Sequence, residues 1–229
     1  MSPPADLTVP PETFAALADE LAADLGLDAS GHDLHHAWRV FALGLDLAAS
    51  EGADPAVVGA AALTHDLHRV VPEAPVQPRE TLPRVRDLLA AVDFPADRVE
   101  AVCHAVAVHE EYGFDYQPAV SPDEGSETVE AAVLQDADNL DAMGAVGIGR
   151  TFTYAGAHGN AMWTADPSPD WVPWDAEDDR DSTIEHFDEK LLQLRDDMNT
   201  ERGRALAERR HEVLAEFVER FRAEWHGET

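Results

Sequence analysis

Two imidazoles and two carboxylates occur in this sequence where apolar side chains are expected. His65-Asp66 closes a run of small apolar residues, Ala60-Ala61-Ala62-Leu63-Thr64. His36 falls in helical register with Val40, Leu43 and Leu47, and Asp136 with Val129, Val133 and Leu140. An ionised carboxylate buried alone costs several kcal/mol, and a divalent cation removes that cost. Two neutral imidazoles and two carboxylates cancel one divalent charge. They fill four octahedral positions and leave two for water and substrate. The expected ligands are therefore His36, His65, Asp66 and Asp136, holding one divalent ion. Mixed nitrogen and oxygen donors favour Mn²⁺ or another transition ion, with Mg²⁺, Co²⁺, Ni²⁺ and Fe²⁺ as alternatives.

Other residues are weighed against this set. His109 ends an apolar stripe of Val99, Val102 and Val106, and reads equally as a core histidine or as a pocket residue contacting phosphate. His68 reads as a surface histidine at a helix end. Arg39 is placed to hold Asp66 or Asp136 from behind, as metal ligands usually require. Asp138 lies about 200° round the helix from Asp136 and is expected in a salt bridge. Arg150 is a candidate phosphate contact. Lys190 is the one lysine of the chain. It sits at the edge of an apolar stripe, where its compact charge suits a substrate phosphate.

Helices must position these groups. Phe14, Leu17, Leu21 and Leu25 predict a helix over 11–25. A second helix, 33–50, has two apolar faces, one with His36 and one with Trp38, Phe41 and Leu45, and is expected to be central and largely buried. Asp54-Pro55 is an N-cap followed by Pro at the first helical position, opening the helix that carries His65. Thr81 is placed to cap a helix through Val92, and Pro95 to open another ending near His109. Helices follow from Ser126 through Asp136, over 143–154 as a short buried segment, from Ile184 to Met198, and from Leu206 to Trp225. The stretches 71–78, 111–125 and 156–183 read as loops, the last long and acidic. The expected fold is all-α, a single bundle of about eight or nine helices over residues 1–229.

Composition bounds the function. The formal net charge is −30, with acidic residues spread along the chain, which argues against broad nucleic-acid or anionic-membrane binding. Such self-repulsion fits a halophilic protein, because the Debye length falls to about 3 Å at 1 M salt. The single cysteine, Cys103, excludes an internal disulfide and a cysteine cluster for zinc. With no apolar run near the ~18 residues that span a bilayer, a cytoplasmic location is expected.

The order His36, then His65-Asp66, then the segment Gln135-Asp136-Ala137-Asp138 resembles the HD-domain metal-dependent phosphohydrolases. Gly144-Ala145-Val146-Gly147-Ile148-Gly149-Arg150, Glu189-Lys190-Leu191-Leu192 and Met198-Asn199-Thr200 are similar to small stand-alone members related to nucleoside triphosphate pyrophosphohydrolases. The chain departs from the expected pattern at Glu110, where relatives often carry Ser, and at His68-Arg69, where some carry an acidic catalytic residue. The resemblance implies a metal-activated water attacking a nucleotide phosphorus, with Asp66, Lys190, His109 and Arg150 as catalytic or phosphate-contacting residues. It implies a nucleoside triphosphate cut to monophosphate and pyrophosphate. A 5′-monophosphatase and a non-catalytic nucleotide-binding protein are the alternatives, and the oligomeric state is left open.

Overall fold

The computed structural model describes residues 7–26, 28, 30–70, 76–114, 128–164 and 181–228. Among them are nine α-helices and no strand, the one β-bridge being Ala161 to Ser182. The helices are α1 Pro11–Leu25, α2 Leu34–Glu51, α3 Pro55–Thr64, α4 Leu82–Ala91, α5 Val99–Val108, α6 Val129–Asp141, α7 Gly144–His158, α8 Thr183–His186 and α9 Glu201–Trp225. The fold is thus an all-α bundle, as the periodicity predicts. None of the described helices is long and apolar enough to cross a membrane.

Helices α2, α3, α5 and α6 form the centre. Helix α3 is buried on every side, from Ala56 to Thr64. Its small side chains let neighbours approach: a Cβ on Gly44 of α2 would lie 2.8 Å from Val58 Cγ1 of α3. Asp33 caps α2 by accepting from the His36 amide, and Asp54 caps α3 by accepting from the Ala56 amide. Helix α2 closes at Gly52 with φ of +76°, a left-handed conformation that glycine adopts without a Cβ clash.

Several local expectations are corrected. Thr81 does not cap α4; its hydroxyl donates to the Pro78 carbonyl inside a 3₁₀ turn, Pro78–Thr81. Helix α3 stops at Thr64, and His65–Val70 winds as a 3₁₀ helix. Trp38 on the second apolar face of α2 is 37% exposed, so that helix is covered on one face and only partly on the other. Helix α7 is not buried: Val146 and Tyr154 are exposed, and a Cβ on Gly149 would meet nothing within 4 Å. The segment 184–198 is a short α turn followed by a π turn, Phe187–Leu191, and a 3₁₀ turn, Gln193–Asp197. The loop readings for 71–75, 115–127 and 165–180 lie outside the described residues.

Candidate metal centre

Four side chains converge where α2, α6 and the 3₁₀ helix after α3 meet. The Nε2 atoms of His36 and His65 are 3.1 Å apart. Asp66 Oδ2 lies 3.1 Å from His36 Nε2 and 3.6 Å from His65 Nε2. Asp138 Oδ1 lies 3.4 Å and 3.6 Å from the same two atoms. His36, His65 and Asp66 are therefore brought together, and Asp138 stands where Asp136 was expected.

The tautomers follow from the hydrogen bonds. His65 Nδ1 donates to the Ala62 carbonyl at 2.9 Å, and a carbonyl only accepts. His36 Nδ1 donates to the Asp141 carboxylate at 2.8 Å. In their neutral forms both rings aim an Nε2 lone pair at the shared point, together with two carboxylate oxygens. Four acceptors facing one another need a positive centre between them. Adjacent ligands on an octahedron with bonds of about 2.0–2.2 Å lie about 3 Å apart, close to the separations seen here. The donor set fits a divalent ion.

The electrostatics agree. Burial disfavours a charged His36, yet hydrogen bonds with Asp138, Asp141 and Asp66 outweigh it and push the imidazole up to about 10. His65 is raised against full burial by Asp66 and Asp138. Despite burial, His65 and His32 hold Asp66 well below the usual carboxylate range, and His36 and His65 do the same for Asp138. The pocket draws positive charge to its centre.

Asp136 faces away. Its Oδ1 accepts from the Asn199 amide at 2.8 Å and from Asn199 Nδ2 at 3.1 Å. Its Oδ2 accepts from the Thr200 amide at 2.8 Å and hydroxyl at 2.6 Å. With those lone pairs committed, it anchors the start of α9. Burial leaves its carboxyl raised, those hydrogen bonds only partly offsetting the effect. Asp138, expected in a salt bridge, is paired with the imidazoles of His36 and His65.

A surrounding layer holds the ligands. Asp141 accepts from His36 Nδ1, from Arg39 Nε and Nη2 at 2.8 and 3.0 Å, and from Arg150 Nη1 at 2.9 Å. Arg39 thus supports Asp141 rather than Asp66 or Asp136. His32 Nδ1 donates to Asp66 Oδ2 at 2.8 Å. Sequence reasoning missed His32 and Asp141; the signal for Asp141 was its i, i+3 spacing from Asp138, which puts both on one helix face.

The centre opens on a cavity of about 520 Å³ lined by Asp66, Asp138, Arg69, Arg150 and Lys190, among others. Lys190 Nζ sits 4.6 Å from the Tyr112 ring centroid, and burial pushes its ammonium down to about 8. Arg150 lines the cavity while its Nη1 pairs with Asp141 and its Nε donates to the Gly31 carbonyl. Arg69 pairs with Glu110. His109 is buried beneath, its ring 5.1 Å from that of His65, and burial pushes it down to about 4, so it is neutral near pH 7. His68 is buried too, not on the surface as expected.

Known proteins match this chain in both sequence and fold. The HD domain family model matches residues 33–143. The uncharacterized Bacillus subtilis protein YpgQ is 36% identical over 191 residues, 83% of each chain. A crystal structure of YpgQ in complex with ADP superposes with a TM-score of 0.65 at 31% identity, covering 92% of this chain and 98% of the other. A Lactobacillus plantarum protein superposes with a TM-score of 0.72 at 30% identity, over 95% and 99%. A Bacillus thuringiensis HD-superfamily hydrolase gives 0.66 at 32%, over 95% and 98%.

Proposed function

The chain belongs to the HD-domain family, and on that premise we propose that it is a metal-dependent phosphohydrolase of nucleotides, cutting a nucleoside triphosphate to monophosphate and pyrophosphate. The observation that carries the reading is the convergence of His36, His65, Asp66 and Asp138 at the end of a cavity lined by three cationic side chains. ADP bound to the similar protein YpgQ supports a nucleotide as the ligand.

His36, His65, Asp66 and Asp138 would hold the ion, with Mn²⁺ suited to two nitrogen and two oxygen donors. Such an ion, when bound, lowers the pKa of a coordinated water and polarises a phosphoryl oxygen. The protein supplies the rest. Asp141 fixes His36 as its Nδ1–H tautomer, and the Ala62 carbonyl does so for His65, so both rings present Nε2. His32 orients Asp66. Lys190, Arg69 and Arg150 line the cavity and would neutralise phosphate oxygens.

The test offers nucleoside mono-, di- and triphosphates with Mn²⁺, Mg²⁺ or Co²⁺ and reads phosphate and pyrophosphate separately. Pyrophosphate release from triphosphates is expected. Phosphate release from monophosphates alone would assign a 5′-monophosphatase. Nucleotide binding without turnover would make the protein a binding module.

A further inference from the structure

On the cavity wall the Lys190 ammonium faces an aromatic ring. Its Nζ lies 4.6 Å from the centroid of Tyr112, within the range of a cation–π contact, and both residues line the cavity. Tyr112 lies outside any helix, yet its neighbours on either side are pinned. Glu110 pairs with Arg69 and, at 3.1 Å, with His68 Nε2. The Glu111 carbonyl accepts from Gln135 Nε2, and Gln135 Oε1 accepts from Asn199 Nδ2 at 2.7 Å. The Gly113 amide donates to Asp197 Oδ1 at 2.9 Å, an approach so close that a Cβ on Gly113 would lie 2.5 Å from that oxygen. The Phe114 ring packs 5.3 Å from that of Tyr112. Asp197 and Asn199 close the same stretch, 187–199, that presents Lys190. Ring and ammonium thus sit on two segments latched to each other.

We propose that Tyr112 is a positioning residue, its ring face holding the Lys190 ammonium at the cavity wall for the phosphate oxygens of a nucleotide. The identity of the ligand rests on the phosphohydrolase reading; the contact does not. A lysine head rides on a flexible four-carbon stem, and ordering it only when ligand arrives costs affinity. The ring orders it beforehand. The ring also favours the charged amine. That opposes burial, which pushes the ammonium down to about 8, with Glu110 and Asp138 acting against burial and Arg69 and Arg150 with it. His186 is pushed down to about 4 by burial and by the same ammonium. The chain has 46 acidic residues that could have met its one lysine. A carboxylate in the place of the ring would neutralise the ammonium and repel a phosphate; a ring face does neither.

The single lysine makes the contact directly readable. Protein labelled with ε-¹³C lysine gives one lysine resonance, and a ring face at this distance moves it upfield. Metal-free wild type and Tyr112→Phe should show the upfield shift. Tyr112→Leu should lose it, with helix content unchanged by circular dichroism. ADP affinity is then measured by calorimetry with Mn²⁺ present. Tyr112→Leu should weaken it about tenfold, the weight of one desolvated cation–π contact, and Tyr112→Phe, which keeps the ring, should restore it. In a Lys190→Ala background Tyr112→Leu should cost nothing further, because the ring acts through the lysine. An unshifted wild-type resonance, which needs no variant, overturns the contact, as does a shift that Tyr112→Leu leaves in place. Wild-type affinity in Tyr112→Leu, an equal loss in Tyr112→Phe, or a full further loss on top of Lys190→Ala overturns the positioning role. Absence of nucleoside triphosphate turnover in wild type overturns the phosphohydrolase reading alone, since the resonance and the ADP affinities still decide on Tyr112. Wild type that binds no ADP overturns both.

Discussion

At the residue scale, two aspartates of α6 face opposite ways, Asp138 toward the imidazoles of His36 and His65 and Asp136 toward the start of α9. Asp138→Ala should lose the proposed metal and lower kcat/KM by more than the roughly 10–100-fold typical of residues behind a ligand, while the melting temperature is kept or raised. Asp136→Ala should keep the metal and lose about 3 kcal/mol of stability, because it strands the buried donors of Asn199 and Thr200. Chemical denaturation and metal counting on both variants check this; metal loss in Asp136→Ala with normal stability would reverse the assignment. The sequence pointed to the segment but not to the aspartate that faces the imidazoles, for a physical reason. Helix α6 is buried at nine positions from Ala131 to Asp141, so burial runs round the helix and a single apolar stripe cannot select a face. Lys190 carries a pH prediction. Its ammonium is displaced from the usual lysine value of 10.5 to about 8 by burial. If it grips a phosphate, KM should rise above about pH 8 as the proton leaves. Lys190→Arg should lack that inflection and fall at least about tenfold in kcat/KM, since a guanidinium stays charged but has a different shape. The stability sign is opposite: between about pH 8 and 10.5 the unfolded state binds more protons, so the Lys190 contribution to stability rises with pH across that window. Equal profiles for wild type and Lys190→Arg would remove Lys190 from the phosphate site.

At the element scale, the site depends on how α9 begins. Gly203 follows the Thr200 cap, and a Cβ there would lie 2.2 Å from Asp136 Oδ2 and 2.7 Å from Thr200 Oγ1. Helix propensity alone favours Ala over Gly by about 1 kcal/mol. The clash is with a buried, hydrogen-bonded carboxylate that has little room to give, so overpacking should win, and Gly203→Ala should destabilise by about 1–3 kcal/mol. A melting temperature equal to or above wild type would show that α9 can shift without cost. Most of the helices were legible because their caps and stripes agree: Asp54 caps as its place before Pro55 suggests, and the Phe14–Leu25 stripe packs inward. What the stripes could not show is the change of winding after Thr64. In a 3₁₀ turn residues i and i+3 eclipse, which sets His68 directly over His65 and buries it. An α-helical reading places the same residue only near that face, and so left it on the surface. Helix α7 misled in the other direction: its glycines and apolar residues suggested close packing, but only Gly144, Gly147 and Ala155 are buried.

At the scale of the whole molecule, the charge decides the conditions under which this arrangement persists. A formal net charge of −30 sits on a 24.9 kDa chain with 16 basic residues, and part of that basic complement is committed to the centre, Arg39 and Arg150 both binding Asp141. Exposed pairs such as Arg86–Glu100 and Arg195–Asp196 use others but contribute little, and salt screens them. Two effects of salt therefore oppose each other: screening weakens the few attractive surface pairs and relieves the many repulsive ones. The excess of carboxylates makes relief the stronger of the two, since compaction brings all the like charges together. At 0.1 M salt the Debye length of about 10 Å still lets neighbouring surface carboxylates repel, while at 1 M it is about 3 Å and they do not. The melting temperature should therefore climb from low salt to 1–2 M KCl. KCl is compared with an uncharged osmolyte at equal water activity to separate screening from general exclusion. A divalent ion bound between Asp66 and Asp138 would lower the salt requirement, because it would neutralise them where screening by solvent ions does not reach. A melting temperature flat in KCl, with and without Mn²⁺, would mean that the surface charge is tolerated at ordinary ionic strength and is no adaptation to salt.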